Sequence, residues 1–521
     1  MPNLTMKSAL SKIFNNPFLL IGITAILKLP LFLTKNIQED SFITWRVARN
    51  LLNYGVIGFN GNERISASTT HLYVLVSAFF QLIFDENFIG PLLIFSGVLF
   101  AVGSFWLGKI LFPTDLFKRG FFVIFLNMLP PALTASGLGM EYGILFFLYS
   151  GLIYFGIFKG KNWAYFLFPV LMLWTRMDTV IFLGVFFAAD VIIRKKINLF
   201  FILGGIAGVI SVVSFNYFYF GELVNHTITA KKIAYKNLIQ NNSFSHFLYQ
   251  WAYYGGLIKK YSVYTLLLFV AFLMLLGFSV FKVYKDHRRV PYKTRWILLA
   301  MLAFALLKIT VFAWFQAYFD WYYWLPRVFM FVIILFYVLD FVKLKCKLLI
   351  PAVFLGVLAL YAFQLLQSYT IGYMEERQRM QIAADINSDH VSMKQSVLLE
   401  PAGIIPFYTN LFTYDEVGLV SKKITEEMLK DDQFWWRNSV KRFQPDYILT
   451  IAQKPGTESS FYRLKPEDAS EFAHEYKLIK AYPIAKIHNN APKILRCIYK
   501  IRPIGKDYYL YKRLRKLSPN D

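Results

Sequence analysis

The sequence predicts a helical bundle that crosses a membrane many times, followed by a smaller polar domain of α/β or α+β type. The chain has 521 residues and is 56% hydrophobic and 19% aromatic, which is more apolar side chain than a soluble protein buries. Long apolar runs recur from Pro17 to Leu366, and the residues after them are polar. We therefore predict a membrane domain at 1–366, with a first outer loop at 35–87, and a soluble domain at 367–521.

Eleven apolar runs predict membrane helices. Several are shorter than the ~20 residues that a perpendicular crossing needs, so we expect oblique helices or helices supported by protein neighbours. The predicted helices lie at 17–34, 88–111, 120–136, 142–158, 163–176, 178–193, 197–219, 262–284, 296–317, 322–342 and 348–366. The run that begins at His71, HLYVLVSAFFQLIF, predicts either a spanning helix or a helix that lies along the membrane interface.

The net charge of +24 arises largely in short breaks between the apolar runs. This distribution is typical of cytoplasmic loops and argues against a nucleic-acid partner. If the run from His71 is interfacial, five basic breaks lie inside: 118–119, 159–161, 194–196, 285–295 and 343–347. If it spans, and 163–192 is one helix, the first two of these breaks move outside. The first arrangement fits the charge bias better, and it puts the polar tail and the unusual polar residues on the outer face.

The first outer loop begins with two carboxylates, Glu39 and Asp40, directly after the first apolar run. Ionisable groups beside a membrane-embedded segment are costly and are often retained for function. Arg46 and Arg49 follow with helical spacing, which predicts an amphipathic helix on the membrane surface. Two plainer interpretations remain open. The arginines could reach lipid phosphates, and Asp40 could stabilise a helix N-terminus.

Two further outer turns interrupt apolar runs with charges. Glu141 lies in ASGLGMEYG and could cap a helix. Arg176 and Asp178 lie in LWTRMDTVI and could form a structural ion pair in a tight helical hairpin.

The last two outer segments add cations and aromatic rings. Lys231 and Lys232 follow His226 in ELVNHTITAKK, and they could equally be an exposed basic patch. Asp320 and Arg327 flank aromatic residues in FDWYYWLPR, a pattern that an interfacial aromatic belt also explains.

These residues together suit the transfer of a sugar from a lipid phosphate. The acceptor hydroxyl needs a base as it attacks the anomeric carbon, and a carboxylate can serve. The leaving group is a phosphate, so it needs cations more than an acid.

The first outer loop, EDSFITWRVARNLLNYGVIGFNGNERISASTTHLYVL, resembles that of polytopic GT-C glycosyltransferases, especially the arabinofuranosyltransferase-like branch. Members of that branch commonly read D-D-A-F-I-x-x-R-Y-A-R-N-L and then G-x-G-x-x-x-N-P-G-E. The segments SGLGMEYGILFF, TRMD, YFGELVNHTITAK and EPAGIIPFYTNLFTYDEVGL are similar to later family segments in the same order. The resemblance covers most of the chain, although 66–70 departs from the family pattern, so substrate identity does not transfer.

The resemblance implies an inverting transferase that uses a polyprenyl-phosphate sugar and modifies an envelope glycan or glycolipid at the outer face of a bacterial inner membrane. It implies that Asp40 is the general base and Glu39 its support. Some relatives bind a divalent metal beside their acidic residues, and this sequence neither requires nor excludes one; we expect no other cofactor. The remaining candidate substrate-binding residues are Arg46, Glu141, Arg176, Asp178, Lys231, Lys232, Asp320 and Arg327. Alternative functions are a transporter or flippase, or a ligase or polymerase, for lipid-linked saccharides.

The soluble tail alternates short apolar runs, such as SVLLE, DYILTIA and KILRCIYKI, with charged helical stretches. Glu400, Tyr408 and Asp415 lie in its family-like segment. This domain could bind the acceptor or pack over the bundle.

Overall fold

The computed structural model describes residues 11–61, 63–236, 263–285, 288–315, 319–341, 349–389, 395–451, 466–501 and 504–514. The chain forms two compact units. The helical unit contains Met1–Leu33, Ile89–Val212 and Ile239–Leu365. The mixed unit contains Thr34–Phe88, Val213–Leu238 and Leu366–Asp521.

Helices dominate the described residues, as the sequence predicted. In chain order they are α1 (Pro17–Leu33), α2 (Glu39–Tyr54), α3 (His71–Phe84), α4 (Ile89–Leu111), α5 (Leu116–Met128), α6 (Pro130–Gly137), α7 (Tyr142–Gly151), α8 (Asn162–Thr175), α9 (Val180–Arg194), α10 (Leu199–Phe220), α11 (His226–Ala234), α12 (Val263–Lys285), α13 (Tyr292–Trp314), α14 (Trp324–Phe341), α15 (Leu349–Ile371), α16 (Arg377–Asn387), α17 (Ile404–Thr409), α18 (Lys422–Lys430), α19 (Trp435–Phe443), α20 (Pro466–Glu475), α21 (Ile484–Asn489) and α22 (Lys493–Ile501).

Among the described residues, five helical segments are long and apolar enough to cross a membrane, or six if a bent pair counts as one span. The five are Ile89–Leu111, Leu199–Phe220, Tyr292–Trp314, Asp320–Asp340 and Pro351–Asn387. The shorter predicted runs form helices close to their expected positions, with α7 continuing as a π-helix at Leu152–Phe158. The predicted boundaries at 262, 317, 342 and 348 lie outside the described residues.

The predicted helix at 120–136 is two helices. α5 and α6 meet at an angle of 67°. Leu129 is extended, with φ −71° and ψ 143°, and Pro130 and Pro131 follow it. A proline disfavours helical geometry in the residue before it and lacks the N–H that would continue the helix, so the chain bends here.

A five-stranded mixed sheet forms the centre of the mixed unit, with strand order β2-β1-β3-β5-β4. The strands are β1 (Ser396–Leu399), β2 (Phe412–Asp415), β3 (Tyr447–Thr450), β4 (Tyr476–Tyr482) and β5 (Tyr508–Arg513). β1 pairs in parallel with β2 and β3, and β5 is antiparallel to β3 and β4. Two of the apolar runs, SVLLE and DYILTIA, form β1 and β3. KILRCIYKI is instead the helix α22, because Leu495 and Ile498 bury one helical face.

The first outer loop shares one hydrophobic core with this sheet. Val47 of α2, Phe59 of the following loop and Val74 of α3 belong to the same buried cluster as Leu399 of β1 and Leu449 of β3. In α2, residues 41–48 and Asn50 are buried. The apolar face that the sequence assigned to the membrane surface is therefore covered by protein, and the linear division at 366 separates segments that fold together.

Candidate functional site

One face of α2 lies against the short helix α17. Glu39, Phe42, Arg46 and Arg49 follow each other at intervals of three or four residues, which places them on one side of a helix. The Phe42 ring meets the Phe407 ring edge-on at 5.4 Å between centroids. The Arg49 guanidinium lies 3.9 Å from the centre of the same ring and donates to the Phe407 carbonyl at 3.0 Å. This face is a docking surface.

Glu39 is fixed by three donors. Its Oε1 accepts from the backbone N–H groups of Gly403 at 2.9 Å and Ile404 at 2.7 Å. Its Oε2 pairs with the Arg379 guanidinium at 2.9 Å. Burial raises the pKa of the Glu39 carboxyl, and the Arg379 charge opposes that shift. Both carboxylate oxygens are thus used in holding α2.

Arg46 makes protein contacts in place of the expected phosphate contact. It is 4% exposed. Its Nε donates to the Phe59 carbonyl at 3.0 Å, and its two terminal nitrogens donate to Pro406 and Leu411 carbonyls at 2.7 Å each. The guanidinium also lies over the Phe59 ring at 4.3 Å. Arg46 thus connects α2 to the following loop, through Phe59, and to the C-terminal domain that contains the sheet, through Pro406 and Leu411.

Asp40 lies on a different side of α2, about 100° around the helix axis from Glu39. It is half-buried. Its charge raises the pKa of Glu39, so the two carboxylates are close. A strip of hydroxyl groups runs beside it. Thr44 Oγ1 donates to the Asp40 carbonyl at 3.5 Å and lies 3.1 Å from Ser68 Oγ, which lies 2.8 Å from Thr70 Oγ1. Asp40 and Thr44 are polar, whereas Val47 and Ala48, further along the same side of α2, are buried in the hydrophobic core.

The α11 region of the mixed unit carries the other predicted cations. His226 Nε2 donates to the Gly418 carbonyl at 3.0 Å, which gives this histidine a structural partner. Glu222 pairs with Lys422 at 2.6 Å. In the last turn of α11, Lys231 is half-buried and Lys232 is exposed. Lys232 is therefore accessible to an anion.

In the helical unit, four charged side chains form one buried network. Arg176 donates to Glu141 Oε1 at 2.6 Å and to both Asp178 oxygens at 3.1 and 3.2 Å. Lys308, from α13, donates to Asp178 Oδ2 at 2.7 Å. The two positive charges of Arg176 and Lys308 equal the two negative charges of Glu141 and Asp178, so the cluster is neutral as a whole. We therefore interpret it as a structural network. A phosphate would have to compete with Glu141 or Asp178 for its cations.

A second ion pair lies close to this network. Arg327 donates to Asp320 Oδ1 at 2.7 Å and to Oδ2 at 3.2 Å, and Trp324 Nε1 donates to Oδ2 at 2.9 Å. The Trp324 ring contacts the Tyr142 ring at 5.4 Å. Because the Arg176 guanidinium lies 5.5 Å from the centre of that same tyrosine ring, aromatic contacts connect the two charged groups.

An apolar groove opens on the same unit. Its volume is about 410 Å³, and it is lined by α8, α9 and α10, including Leu173, Val180, Gly184 and Ile206. Leu173 lies three residues before Arg176, and Val180 lies two residues after Asp178. One end of the groove is therefore near the charged network. Its lining is apolar.

The predicted site residues are divided between the two units. Glu141, Arg176, Asp178, Asp320 and Arg327 belong to the helical unit, and Glu39, Asp40, Arg46, Lys231 and Lys232 belong to the mixed unit.

Sequence reasoning missed Lys308 and Arg379. A lone lysine inside the apolar run FALLKITVF signalled the first, because a charge in such a run needs a partner. No local pattern marked Arg379. Within the described ranges, no group of three or more His, Cys, Asp or Glu is placed to hold a metal ion.

Asp415, at the end of β2, provides a pH-dependent test of the mixed unit. It accepts from the backbone N–H groups of Leu419 at 2.7 Å and Val420 at 2.9 Å. Burial raises its pKa to about 6, above the ordinary value of 3.8. The folded state therefore holds this proton more tightly than the unfolded chain, and folding stability should fall as pH rises from about 4 to 6.

We expect Asp415→Asn to remove this part of the pH dependence, although it lowers stability at every pH because its amide replaces one acceptor. Thermal unfolding midpoints measured from pH 4 to 7 check this, with Asp432→Asn, a change of the same type in the same domain, as the control. An equal slope in wild type and Asp415→Asn contradicts the expectation.

A family model described as a domain of unknown function (DUF8728) matches residues 368–511. This range contains the last residues of α15, the helix α16 and the domain built on the five-stranded sheet, called the sheet domain. The search of curated proteins found no match to this chain. The family match therefore covers the C-terminal part of the chain and carries no activity with it.

Proposed function

We propose that the protein is an inverting glycosyltransferase of the GT-C type, with eleven membrane helices and an outward-facing active site in a bacterial inner membrane. It moves a sugar from a polyprenyl-phosphate donor to an envelope glycan or glycolipid. The observation that carries the proposal is the position of Asp40. This half-buried carboxylate lies at the start of the first-loop helix, one turn before Thr44, whose hydroxyl donates to the Asp40 backbone carbonyl, and its neighbour Glu39 is occupied in holding that helix.

The reaction needs one base. Asp40 takes the proton of the acceptor hydroxyl while the hydroxyl oxygen attacks the anomeric carbon from the side opposite the phosphate. The bond between that carbon and the phosphate oxygen breaks, and the polyprenyl phosphate leaves with the bonding electrons. The attack inverts the anomeric centre. Thr44, Ser68 and Thr70 offer hydrogen bonds to the acceptor.

The leaving phosphate needs cations. Lys231 and Lys232, which belong to the same unit as Asp40, are retained as candidates. Arg46 is removed because its donors are used on backbone carbonyls. Arg327 is paired with Asp320 in the helical unit. Glu141, Arg176 and Asp178, with Lys308, keep the shape of the helical unit.

A transporter or flippase for a lipid-linked saccharide is the second candidate. Two lysines in apolar helices favour it: Lys308 of α13 and Lys28 of α1, both buried. Charges at such positions often mark transport pathways. Lys28 donates to the Ser136 hydroxyl at 2.7 Å and to the Gly97 carbonyl at 3.4 Å, and both of these acceptors are uncharged.

Purified protein in lipid nanodiscs separates these functions. A transferase consumes a radiolabelled polyprenyl-phosphate sugar in the presence of an envelope glycan extract, and it releases unlabelled polyprenyl phosphate. A transporter leaves the donor intact but moves it between leaflets in proteoliposomes. The transferase proposal is rejected if every polyprenyl-phosphate sugar tested remains intact while the protein moves it between leaflets. Comparing the envelope glycans of a deletion strain with those of its parent identifies the acceptor.

A further inference from the structure

The side chain of Glu39, from the first loop, lies at the edge of the sheet where a ligand would be expected. In open α/β sheets, ligands bind beyond the carboxyl ends of parallel strands, where the strand order reverses. Here the chain passes from β1 to β2 on one side and then to β3 on the other side of β1. The segment that leaves β1 leads to Gly403 and α17. The two N–H groups that begin this segment's helix are bound by Glu39.

Both ends of α17 are satisfied by α2. Glu39 accepts at the N-terminal end, and Arg46, seven residues later, donates to the Pro406 carbonyl in the middle of α17 and to the Leu411 carbonyl just beyond its C-terminal end. A carboxylate at the start of a helix and a cation at its end are the arrangement that the helix dipole favours. The Gly403 cap has no side chain to provide this, and α17 has only six residues. α2 therefore completes α17, and α17 in turn fixes the position and direction of α2.

Hydrogen bonds from Ile37 and Asn60 hold the chain on either side of α2. The Ile37 N–H donates to the Glu376 carboxylate before the helix begins. After the helix, Asn60 accepts from the Thr413 N–H at 2.9 Å and donates to the Thr413 and Val420 carbonyls at 2.9 and 3.3 Å. The first loop is thus bound before, along and after α2 by one domain.

From this arrangement we infer that the domain at 368–511 is a platform that orients the acidic end of α2, with Glu39, Arg46 and Arg379 as positioning residues. It is an intramolecular docking surface for a charged helix, and its ligand is the first outer loop of the same chain. The orientation of α2 stands on the contacts alone. That the orientation serves catalysis by Asp40 rests on the proposed glycosyltransferase function.

Hydrogen exchange measured by mass spectrometry on the full-length protein tests the docking directly. Arg46→Met keeps the length and apolar stem of the side chain and removes three hydrogen bonds, so exchange in 39–54 should rise at least tenfold. Arg437→Met is the matched control, because Arg437 pairs with Asp468 in the same domain at 3.2 Å. It should leave exchange in 39–54 unchanged. Wild-type exchange of 39–54 in folded Arg46→Met would overturn the inference.

Glu39→Gln provides a milder variant if Arg46→Met does not fold. The amide keeps one acceptor for the N–H groups of Gly403 and Ile404 but loses the charge that pairs with Arg379, so a smaller rise in exchange of about threefold is expected. Unchanged exchange in this variant also counts against the platform.

Activity distinguishes a positioning role from general destabilisation. In Glu39→Gln, kcat should fall about tenfold with an unchanged KM for the donor, and the acidic limb of the pH–kcat profile should move because Asp40 loses a charged neighbour. The positioning role is overturned if Glu39→Gln only lowers the fraction of active protein and leaves the pH–kcat profile unchanged. If the wild type transfers no sugar, the glycosyltransferase proposal fails, and the exchange result still decides the platform.

Discussion

Asp40→Asn is expected to lower kcat for sugar transfer by about 10²- to 10⁴-fold, the range that a positioned general base contributes. Asparagine has nearly the same shape but cannot accept the proton of the acceptor hydroxyl. The fold should survive, because α2 is held through Glu39, Arg46 and Arg49 on its other side. Steady-state transfer rates and donor KM in nanodiscs measure the effect, and we expect KM to change by less than about threefold.

Asp85→Asn is the matched control. Asp85 is an exposed carboxylate of the same unit, and the substitution keeps the shape of its side chain. It should retain wild-type kcat. A folded Asp40→Asn protein that transfers sugar at the wild-type rate refutes the assignment of the base.

Arg176→Gln is expected to cause the largest loss of stability in the helical unit, about 3–5 kcal/mol, which is typical for breaking a buried charge network from one side. Arg176 is 7% exposed, and its removal leaves Glu141 buried without its cation and Asp178 with Lys308 alone. The sequence left open whether Arg176 and Asp178 form a structural pair, and this variant measures that contribution. Thermal unfolding midpoints in detergent and the half-life of monodisperse protein at 37 °C report it.

A double-variant cycle with Glu141→Gln identifies the network as the cause. Glu141→Gln removes the carboxylate that Arg176→Gln strands, so the double variant should lose less stability than the two single losses added together. Arg289→Gln, which changes an exposed arginine of the same unit, should leave the midpoint within about 1 °C of wild type. Additive losses across the cycle would show that Glu141 and Arg176 do not depend on each other.

Most helix positions followed from local pattern. The runs at 17–34, 88–111 and 197–219 differ from α1, α4 and α10 by no more than two residues at either end. A long apolar run can satisfy its backbone only by forming a helix when it lies in a membrane, so run length predicts helix length. The break between α5 and α6 was missed, because 120–136 was predicted as one helix although Pro130-Pro131 lie within it. The sequence did not predict that the first loop would join the sheet in one core, because this requires contacts between segments over 300 residues apart.

The roles of charged residues were harder to predict. Glu39 and Asp40 are adjacent and chemically similar, and the side of α2 that meets α17 decides that Glu39 is the residue that holds the helix. The resemblance to GT-C enzymes favoured Asp40 for chemistry, and the contacts of Glu39 are consistent with that division of roles. For Arg46 the sequence suggested a phosphate contact, since nothing local shows that the carbonyls of Pro406 and Leu411 lie within reach.

By itself, the sequence determined the helical class of this protein, the approximate bounds of its apolar helices, the polar C-terminal domain with strands, and the list of charged residues that need an explanation. These properties depend on apolar run length and on neighbours within a few residues. Only the tertiary structure decided which partner each buried charge has. A desolvated charge must be paired wherever the fold brings a partner, and the partners here are 35 residues away for Arg176 with Glu141 and 340 for Glu39 with Arg379. The acidic pair that opens the first loop is thus local in sequence, but the sheet domain decides the direction in which each carboxylate points.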